Sequence, residues 1–190
     1  MLTSLPNKFH HKNLIRLSAS TTSQSLLYTY MRTDMTSAQV ARNKETFRRL
    51  IEEAMPNGQL DVIRDMVTPE CVTLRAGFAN LYNAIGDAIP ERGNFLNWLE
   101  AGWKPLSEAF GGQKMKVDHV VGDGDTVMMK WHMQIVHRGP FAGAPATQKT
   151  IDWEEIGIAH FNEEGKIETL WFMCEELKLA VNIGYKLELV

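Results

Sequence analysis

Hydrophobic spacing divides the chain into a helical first part and a β-rich second part. After Ser37, apolar residues recur with a period of about 3.6, which predicts a helix with one apolar face that runs to about Ala54. Residues 56–58, Pro-Asn-Gly, end it. Asn94 can cap a further helix, and Pro105 is expected to kink that helix or split it in two. The first part of the chain is therefore predicted to be mainly helical.

The period changes from 3.6 to 2 at Lys114. Residues 122–125, Gly-Asp-Gly-Asp, predict a hairpin turn, and residues 127–137 alternate between an apolar and a polar face. Two more strands are predicted at 150–161 and 167–173. Helices followed by antiparallel strands indicate an α+β fold. We expect a cone-shaped, curved antiparallel sheet with the N-terminal helices packed on one face.

Composition narrows the class of protein. The 190 residues suffice for one domain with a core and an extension, and 44% apolar with 23% charged residues is ordinary for a globular protein. A net charge of -3 favours neither nucleic acid nor an acidic membrane as a partner. Cys71 and Cys174 form no C-x-x-C pair, which argues against a zinc site or a redox motif. No apolar run approaches the ~20 residues of a membrane span.

The first 34 residues differ from the rest in being rich in Ser and Thr and poor in acids. This composition is typical of an organelle transit peptide. The simpler interpretation is that Met35 is the natural start and that the extension is a disordered tail. In either case we expect residues 1–34 to lie outside the fold and residues 35–190 to form one domain. The cytoplasm is the default location.

Glu175 is the first candidate for acid/base chemistry, because it lies just past a predicted strand. Its neighbours Met173, Cys174 and Leu177 are apolar. Apolar surroundings disfavour the charged form of a carboxylate and raise its pKa towards a value useful for proton transfer. The alternative is a helix N-terminal residue that the helix dipole favours, without a catalytic role.

His137 is the second candidate, at the end of the apolar face that carries Trp131 and Met133. It could orient a substrate oxygen or relay a proton, or be a structural histidine bonded to loop backbone. His119 shares its predicted face with Val117, so burial is expected there too. The histidines show neither H-x-H nor H-E-x-x-H spacing, and there is no glycine-rich phosphate loop, so neither metal nor cofactor is expected.

Several large apolar residues could line a pocket for a flat hydrophobic ligand, although core packing is the default interpretation for each of them. The predicted pocket residues are Trp103, His119, Met129, Trp131, Met133, Trp171 and Met173.

Residues 137–148 read H-R-G-P-F-A-G-A-P-A-T-Q. This stretch resembles the loop H-x-G-x-F-x-G-x-P-x-T-G of the SnoaL-like polyketide cyclases, which belong to the nuclear-transport-factor-2-like superfamily. Residues 124–127, G-D-T-V, and 165–171, G-K-I-E-T-L-W, are similar to two further family motifs. The resemblance is specific over the last 70 residues and looser from about Ala41. Gln148 stands where the family commonly has Gly, and Leu74 where many relatives have His.

The resemblance implies a cofactor-free enzyme in which an acidic residue closes a ring by intramolecular aldol condensation. The family's aspartate falls on Glu175, and His137 resembles a histidine that shapes the pocket. A carboxylate in an apolar site would remove a proton next to a carbonyl, and dipoles would stabilise the enolate. The expected function is therefore a cyclase or isomerase acting on a polyketide-like or other hydrophobic carbonyl substrate.

Two other functions are compatible with the same fold. A non-catalytic small-molecule-binding or dimerisation domain would have Glu175 exposed or salt-bridged and tryptophans filling the cavity. A water-activating hydrolase or dehydratase needs a second inward-facing carboxylate, for which Asp118, Asp152 and Glu155 qualify only if the strand register turns them inward.

Homodimerisation is expected because an open sheet leaves one broad face without a helix layer. Met128, Val136 and Ile156 are candidates for that face. The partners we expect are thus a small hydrophobic molecule and a second copy of the chain.

Overall fold

The computed structural model describes residues 36–75, 83, 90–186 and 188. The predicted extension at 1–34 lies outside the described residues. Helices and one curved, open sheet are both present, which confirms the α+β fold class. No helix in the described part of the chain is long and apolar enough to cross a membrane.

A side-chain cap and a proline mark the beginnings of two of the helices. Thr36 caps α1, because its side chain accepts a hydrogen bond from the Gln39 backbone N–H at 3.2 Å. A π-helical turn at Leu99–Trp103 lies between α3 and α4, and Pro105 lies in the first turn of α4, where proline is tolerated. The kink or split expected at Pro105 stays a prediction. Among the described residues the helices are α1 (Ser37–Arg49, continued by a π-helical turn, Leu50–Ala54), α2 (Leu60–Met66), α3 (Phe95–Trp98), α4 (Lys104–Ala109) and α5 (Glu176–Ile183).

The strands form one sheet in the order β2-β1-β6-β5-β4-β3. The pair β1–β6 is parallel and the other pairs are antiparallel, so the sheet is mixed where the sequence predicted antiparallel pairing throughout. A parallel pair is possible here because a long connection separates β1 from β6. The described strands are β1 (Val67–Leu74), β2 (Arg92–Asn94), β3 (Phe110–Asp123), β4 (Thr126–His137), β5 (Thr150–Phe161) and β6 (Ile167–Cys174).

The N-terminal helix packs on the inner face of the sheet, against β3 and β4. Side chains alternate between buried and exposed along β4 and β5, as the period of 2 predicted. The ring of Trp131 lies over Gly157 on the neighbouring strand. A Cβ atom at Gly157 would stand 2.8 Å from that ring and 3.0 Å from the ring of Phe47. Gly157 therefore lets two large rings reach the sheet.

Three predicted pocket residues lie on the outer face instead. The β3–β4 register shifts between Val117 and His119, so the alternation breaks and His119 is exposed. The register of the β5–β6 pair also shifts, between His160 and Phe161, where β6 begins. The side chains of Trp171 and Met173 therefore point outward and are 41% and 55% exposed. The pocket prediction is wrong for these three residues, because an added residue in a strand reverses the face of those that follow it.

The outer face carries an exposed apolar patch. Met128, Ile158 and Trp171 are cross-strand neighbours in one row, and Ile156 pairs with Met173 in the next. All but the half-buried Ile158 are exposed, whereas Val136 is half-buried. The expected homodimer stays a prediction, and this patch is the surface that it would use.

Candidate functional site

The inner side of the sheet holds two oppositely charged side chains. Arg75, directly after β1, is 3% exposed, and Glu155 of β5 is 2% exposed. Glu155 belongs to the inward set of β5, together with Trp153 and Gly157, and it lies opposite Cys174 of β6. Charged groups are rarely buried unless they have a partner of opposite charge. This pair is the centre of the candidate site.

The strand register determines which of the three candidate carboxylates, Asp118, Asp152 and Glu155, points inward. Glu155 does, whereas Asp118 and Asp152 face out. On the outer face Asp118 contacts the ring of His132 at 3.0 Å, and Asp152 accepts from Gln134 at 2.9 Å. Only Glu155 of these three is therefore available to the interior.

Burial raises the pKa of Glu155 above the ordinary value of a carboxyl group, because its charged form loses hydration. The charge of Arg75 opposes this shift, and the nearby carboxylate of Glu176 adds to it. The pKa of Arg75 is lowered in turn by burial, and Glu155 opposes that change. Glu155 is thus a carboxylate with increased proton affinity beside a fixed cation, which is what a general base requires.

Aromatic rings hold the guanidinium of Arg75 from two sides. Its central carbon lies 3.9 Å from the ring centre of Trp98 and 3.8 Å from that of Phe172. Phe95 stacks on both rings, at centroid distances of 6.0 Å and 6.4 Å. A Cβ atom at Gly102 would stand 2.5 Å from the indole nitrogen of Trp98, so this position must stay small.

Cys174 and Glu176 complete the surroundings of the pair. The backbone N–H of Cys174 donates to a carboxylate oxygen of Glu176 at 3.3 Å, which turns that side chain back towards the end of β6. Burial, followed by the charges of Glu155 and Glu176, raises the pKa of the Cys174 thiol well above its ordinary value. A raised pKa disfavours the thiolate, which is the nucleophilic form of cysteine, so packing is the role that fits Cys174.

Glu175 lies on the surface, and the expected increase in its pKa is wrong. Its carboxylate pairs with the ammonium of Lys178 at 2.7 Å and accepts from the backbone N–H of Glu154 at 3.0 Å. The hydrogen bond from Lys178, followed by that backbone bond, lowers the pKa of Glu175. The cause is alternation, because Glu175 follows the inward Cys174. Its catalytic role stays a prediction, without the burial on which it rested.

His137 is buried and structural in its contacts. The Thr147 backbone N–H donates to Nδ1 of His137 at 3.3 Å, and its ring stacks on Phe110 at a centroid distance of 4.8 Å. His137 lies six positions along β4 from Trp131, the residue opposite Glu155, which corresponds to about 20 Å. His137 therefore lies far from the charged pair, and its contacts match the alternative interpretation of a histidine bonded to a loop.

The loop motif that carries the family resemblance builds a tight turn around His137. Gly139 lies against the backbone of Ala109, where a Cβ atom would stand 3.2 Å from the Ala109 Cα. Gly143 and Gln148 both have left-handed backbone, with φ of 73° and 60°. Gln148 thus occupies a conformation that favours glycine, which is the residue common in the family at this position.

Burial lowers the pKa of His137, with the Gly139 backbone opposing, so its protonation is expected to destabilise the fold. Below about pH 6.5 the unfolded chain takes up a proton that the folded chain resists, and stability falls by up to about 1.4 kcal/mol for each pH unit. Urea unfolding of the wild type and of His137→Gln at pH 7.5 and pH 5.5 measures this component. The loss of stability on acidification should be smaller in His137→Gln, and His119→Gln on the exposed face should behave like the wild type. An equal loss in all three proteins would contradict the assignment.

The remaining predicted pocket residues are buried in the core. Trp131 packs edge-to-face on Phe47 and Phe172, at centroid distances of 6.3 Å and 6.0 Å. The indole N–H of Trp103 donates to the Met55 carbonyl at 3.2 Å. Met129 and Met133 are likewise buried on the inner face of β4. Whether any of these residues lines a pocket stays a prediction.

Four residues of the site were not predicted from the sequence: Arg75, Trp98, Phe172 and Glu176. Glu155 was recognisable in part, because strict alternation from Ile151 places it on the face of Trp153. Arg75 had only the signal of a basic residue directly after an apolar strand. Within the described segments, no group of three or more His, Cys, Asp or Glu side chains is placed to hold a metal ion.

The family model of the SnoaL-like polyketide cyclases matches residues 96–183. The chain carries a SnoaL-like polyketide cyclase region. This confirms the resemblance seen in the sequence. The sequence has no significant match among curated proteins.

Several solved structures share the fold of this chain. A candidate SnoaL-like polyketide cyclase from Jannaschia sp. CCS1 is 21% identical, with a TM-score of 0.65, and covers 80% of this chain and 98% of its own. IdmH, a candidate polyketide cyclase from Streptomyces antibioticus, is 21% identical, with a TM-score of 0.62 and coverages of 75% and 99%. AclR, a candidate hydroxylase from Streptomyces galilaeus, is 16% identical, with a TM-score of 0.62 and coverages of 80% and 86%. At these identities the likeness shows the shared nuclear-transport-factor-2-like fold alone.

Proposed function

We propose that this chain is a cofactor-independent enzyme that transfers a proton at the carbon next to a carbonyl group, with Glu155 as the general base. The observation that supports the proposal is the burial of Glu155 on the inner face beside Arg75, which raises its proton affinity while keeping it close to a cation. Two aromatic rings contact the guanidinium of Arg75, so a hydrophobic carbonyl compound is the substrate class that we propose.

The proposed reaction is a ring closure, as the description of the family as polyketide cyclases suggests, and we propose that it is of the aldol type. Glu155 takes the proton, the C–H bond breaks, and its electron pair forms the enolate. The enolate carbon then bonds to a second carbonyl carbon of the same molecule, and the oxygen formed there takes the proton back from Glu155. Atoms and electrons balance without an oxidant or a reductant.

Two other functions keep some support. Glu176 places a second carboxylate near Glu155, which a water-activating hydrolase or dehydratase needs. The exposed, ion-paired Glu175 and the buried Trp131 are what a non-catalytic binding domain predicts. Proton transfer at carbon distinguishes the proposed enzyme from both, because neither of them requires it.

The test is exchange of the α-protons of 2-tetralone, a flat hydrophobic ketone, into deuterium oxide, followed by NMR. We expect the wild type to accelerate the exchange of the α-protons. The substitution Glu155→Gln should lower the accelerated rate by about 10²–10⁴-fold. Glu154→Gln is the matched control, since Glu154 is the adjacent residue on the outer face, paired with Lys130 at 2.6 Å. It should keep the wild-type rate.

Other outcomes would overturn the proposal. No acceleration by the wild type would favour the binding domain or the hydrolase. A full rate in Glu155→Gln together with a loss in Glu175→Gln would restore Glu175 as the base. Circular dichroism of each variant shows whether it is folded, so that a lower exchange rate is not caused by unfolding.

A further inference from the structure

Two aromatic rings fix the orientation of the Arg75 guanidinium, which neutralising Glu155 alone would not require. Its guanidinium lies between the rings of Trp98 and Phe172, 3.9 Å and 3.8 Å from their centres. A planar cation between two aromatic faces cannot turn away without losing both contacts. A positive charge held in this way stabilises a negative oxygen without reorganisation of the site.

Thr73 offers a second donor on the side of β1 that carries Arg75. The two residues are two positions apart at the end of β1, so their side chains point to the same side of the sheet. Thr73 is buried, and its hydroxyl has no hydrogen-bond partner among the residues that the structure describes. Buried polar groups nearly always have a partner. A ligand oxygen that accepts from this hydroxyl would supply one.

The charges around Arg75 restrict the ligand. Glu155 and Glu176 both act electrostatically on the guanidinium, so two carboxylates already face one cation. A ligand with a carboxylate would bring a third negative charge into a poorly hydrated site, and like charges repel strongly there. A neutral carbonyl oxygen meets no such repulsion.

We propose that Arg75 and Thr73 bind the carbonyl oxygen of a neutral, flat ketone whose adjacent carbon faces Glu155, an inference that rests on the proposed function of Glu155. When Glu155 takes the proton, the electrons of the C–H bond move towards the ketone oxygen, and the negative charge passes from the carboxylate to that oxygen. The guanidinium stays protonated. Its five N–H donors in one plane can serve the carboxylate before the transfer and the enolate after it.

Two ligands with the same ring system test the inference by isothermal titration calorimetry on the full chain. 2-Naphthol presents a neutral hydroxyl that becomes an enolate-like anion, and 2-naphthoate presents a carboxylate. We expect 2-naphthol to bind at least about tenfold more tightly. Thr73→Val should weaken 2-naphthol by about tenfold, which is the loss of one hydrogen bond to a charged oxygen. Thr169→Val, on the outer side of β6, is the matched control and should bind like the wild type.

Ultraviolet absorbance of bound 2-naphthol reports the fraction present as the anion. This fraction should fall in Thr73→Val and in Arg75→Lys, which keeps the charge but loses the planar fork. A purely structural role would change the melting temperature and leave the anion fraction unchanged. If Arg75→Lys does not fold, Thr73→Val decides.

The inference is overturned if 2-naphthoate binds as tightly as 2-naphthol, if neither ligand binds, or if Thr73→Val leaves affinity and anion fraction unchanged. If these binding tests fail while the exchange of 2-tetralone still depends on Glu155, Glu155 remains the general base and the oxygen-binding role of Arg75 and Thr73 is wrong. If binding of 2-naphthol depends on Thr73 and Arg75 while Glu155→Gln keeps the full exchange rate, the oxygen-binding role stands and Glu155 is not the base.

Discussion

Arg75→Met is expected to lower the free energy of unfolding by about 3–5 kcal/mol at pH 7, because it leaves the carboxylate of Glu155 buried without its cation. The two side chains are 3% and 2% exposed, so water cannot replace the lost partner. Methionine keeps most of the volume between Trp98 and Phe172, which limits the cavity. Urea unfolding followed by circular dichroism measures the change.

The pH dependence identifies the cause of that loss. Without Arg75 the pKa of Glu155 rises further, because the attraction that lowers it is gone. The folded state then binds a proton that the unfolded state releases above about pH 4.3, so stability falls as pH rises from there. The deficit of Arg75→Met should therefore be smaller at pH 5 than at pH 7.

A second substitution and a surface control complete the experiment. Glu155→Gln in the Arg75→Met background should recover part of the loss, since no buried charge of the pair then remains. Arg64→Met, which removes an exposed ion pair with Asp61, should change stability little. A deficit that is the same at both pH values, or no recovery in the double variant, would mean that packing and not charge is responsible.

Trp131→Ala is expected to lower the free energy of unfolding by about 3–5 kcal/mol, the usual effect of removing a large buried ring. Trp131 is fully buried, with Gly157 beneath its ring and the rings of Phe47 and Phe172 at its edges. Because those two rings are themselves packed, they cannot fill the cavity that the substitution leaves. Denaturant unfolding at low protein concentration is the measurement.

Trp171→Ala is the matched control, because the sequence analysis treated both tryptophans as pocket residues. Trp171 lies on the outer face and is 41% exposed, so its removal should change the stability of the single chain little. An effect that appears only at high protein concentration would indicate self-association through the outer apolar patch. Equal losses for both variants at low concentration would contradict the assignment of the two faces.

Much of the fold could be predicted from local sequence signals. The end of the first helix before residues 56–58, the cap at Asn94 and the hairpin turn around Gly124 were recognisable, and the structure confirms each. Such signals depend on a few neighbouring residues, which the chain itself supplies. The clean alternation of β4 likewise predicted which of its residues share a face.

The candidate site was far less predictable. Glu154, Glu155, Glu175 and Glu176 stand as two adjacent pairs of acids, and nothing local distinguishes the members of a pair. Strand register turns Glu155 inward beside Arg75 and leaves Glu175 on the surface with Lys178. A shift of one residue would have exchanged these environments.

The sequence alone therefore determined the α+β class, the four strands from β3 to β6, the family resemblance and the ends of several elements, because each depends on local propensity or on a motif of neighbouring residues. Tertiary structure decided which face of the sheet the helices cover, where bulges reverse the alternation, and which carboxylate meets Arg75. The physical reason is that alternation defines two faces without saying which one is buried, and burial beside a distant partner is what changes the proton affinity of a side chain.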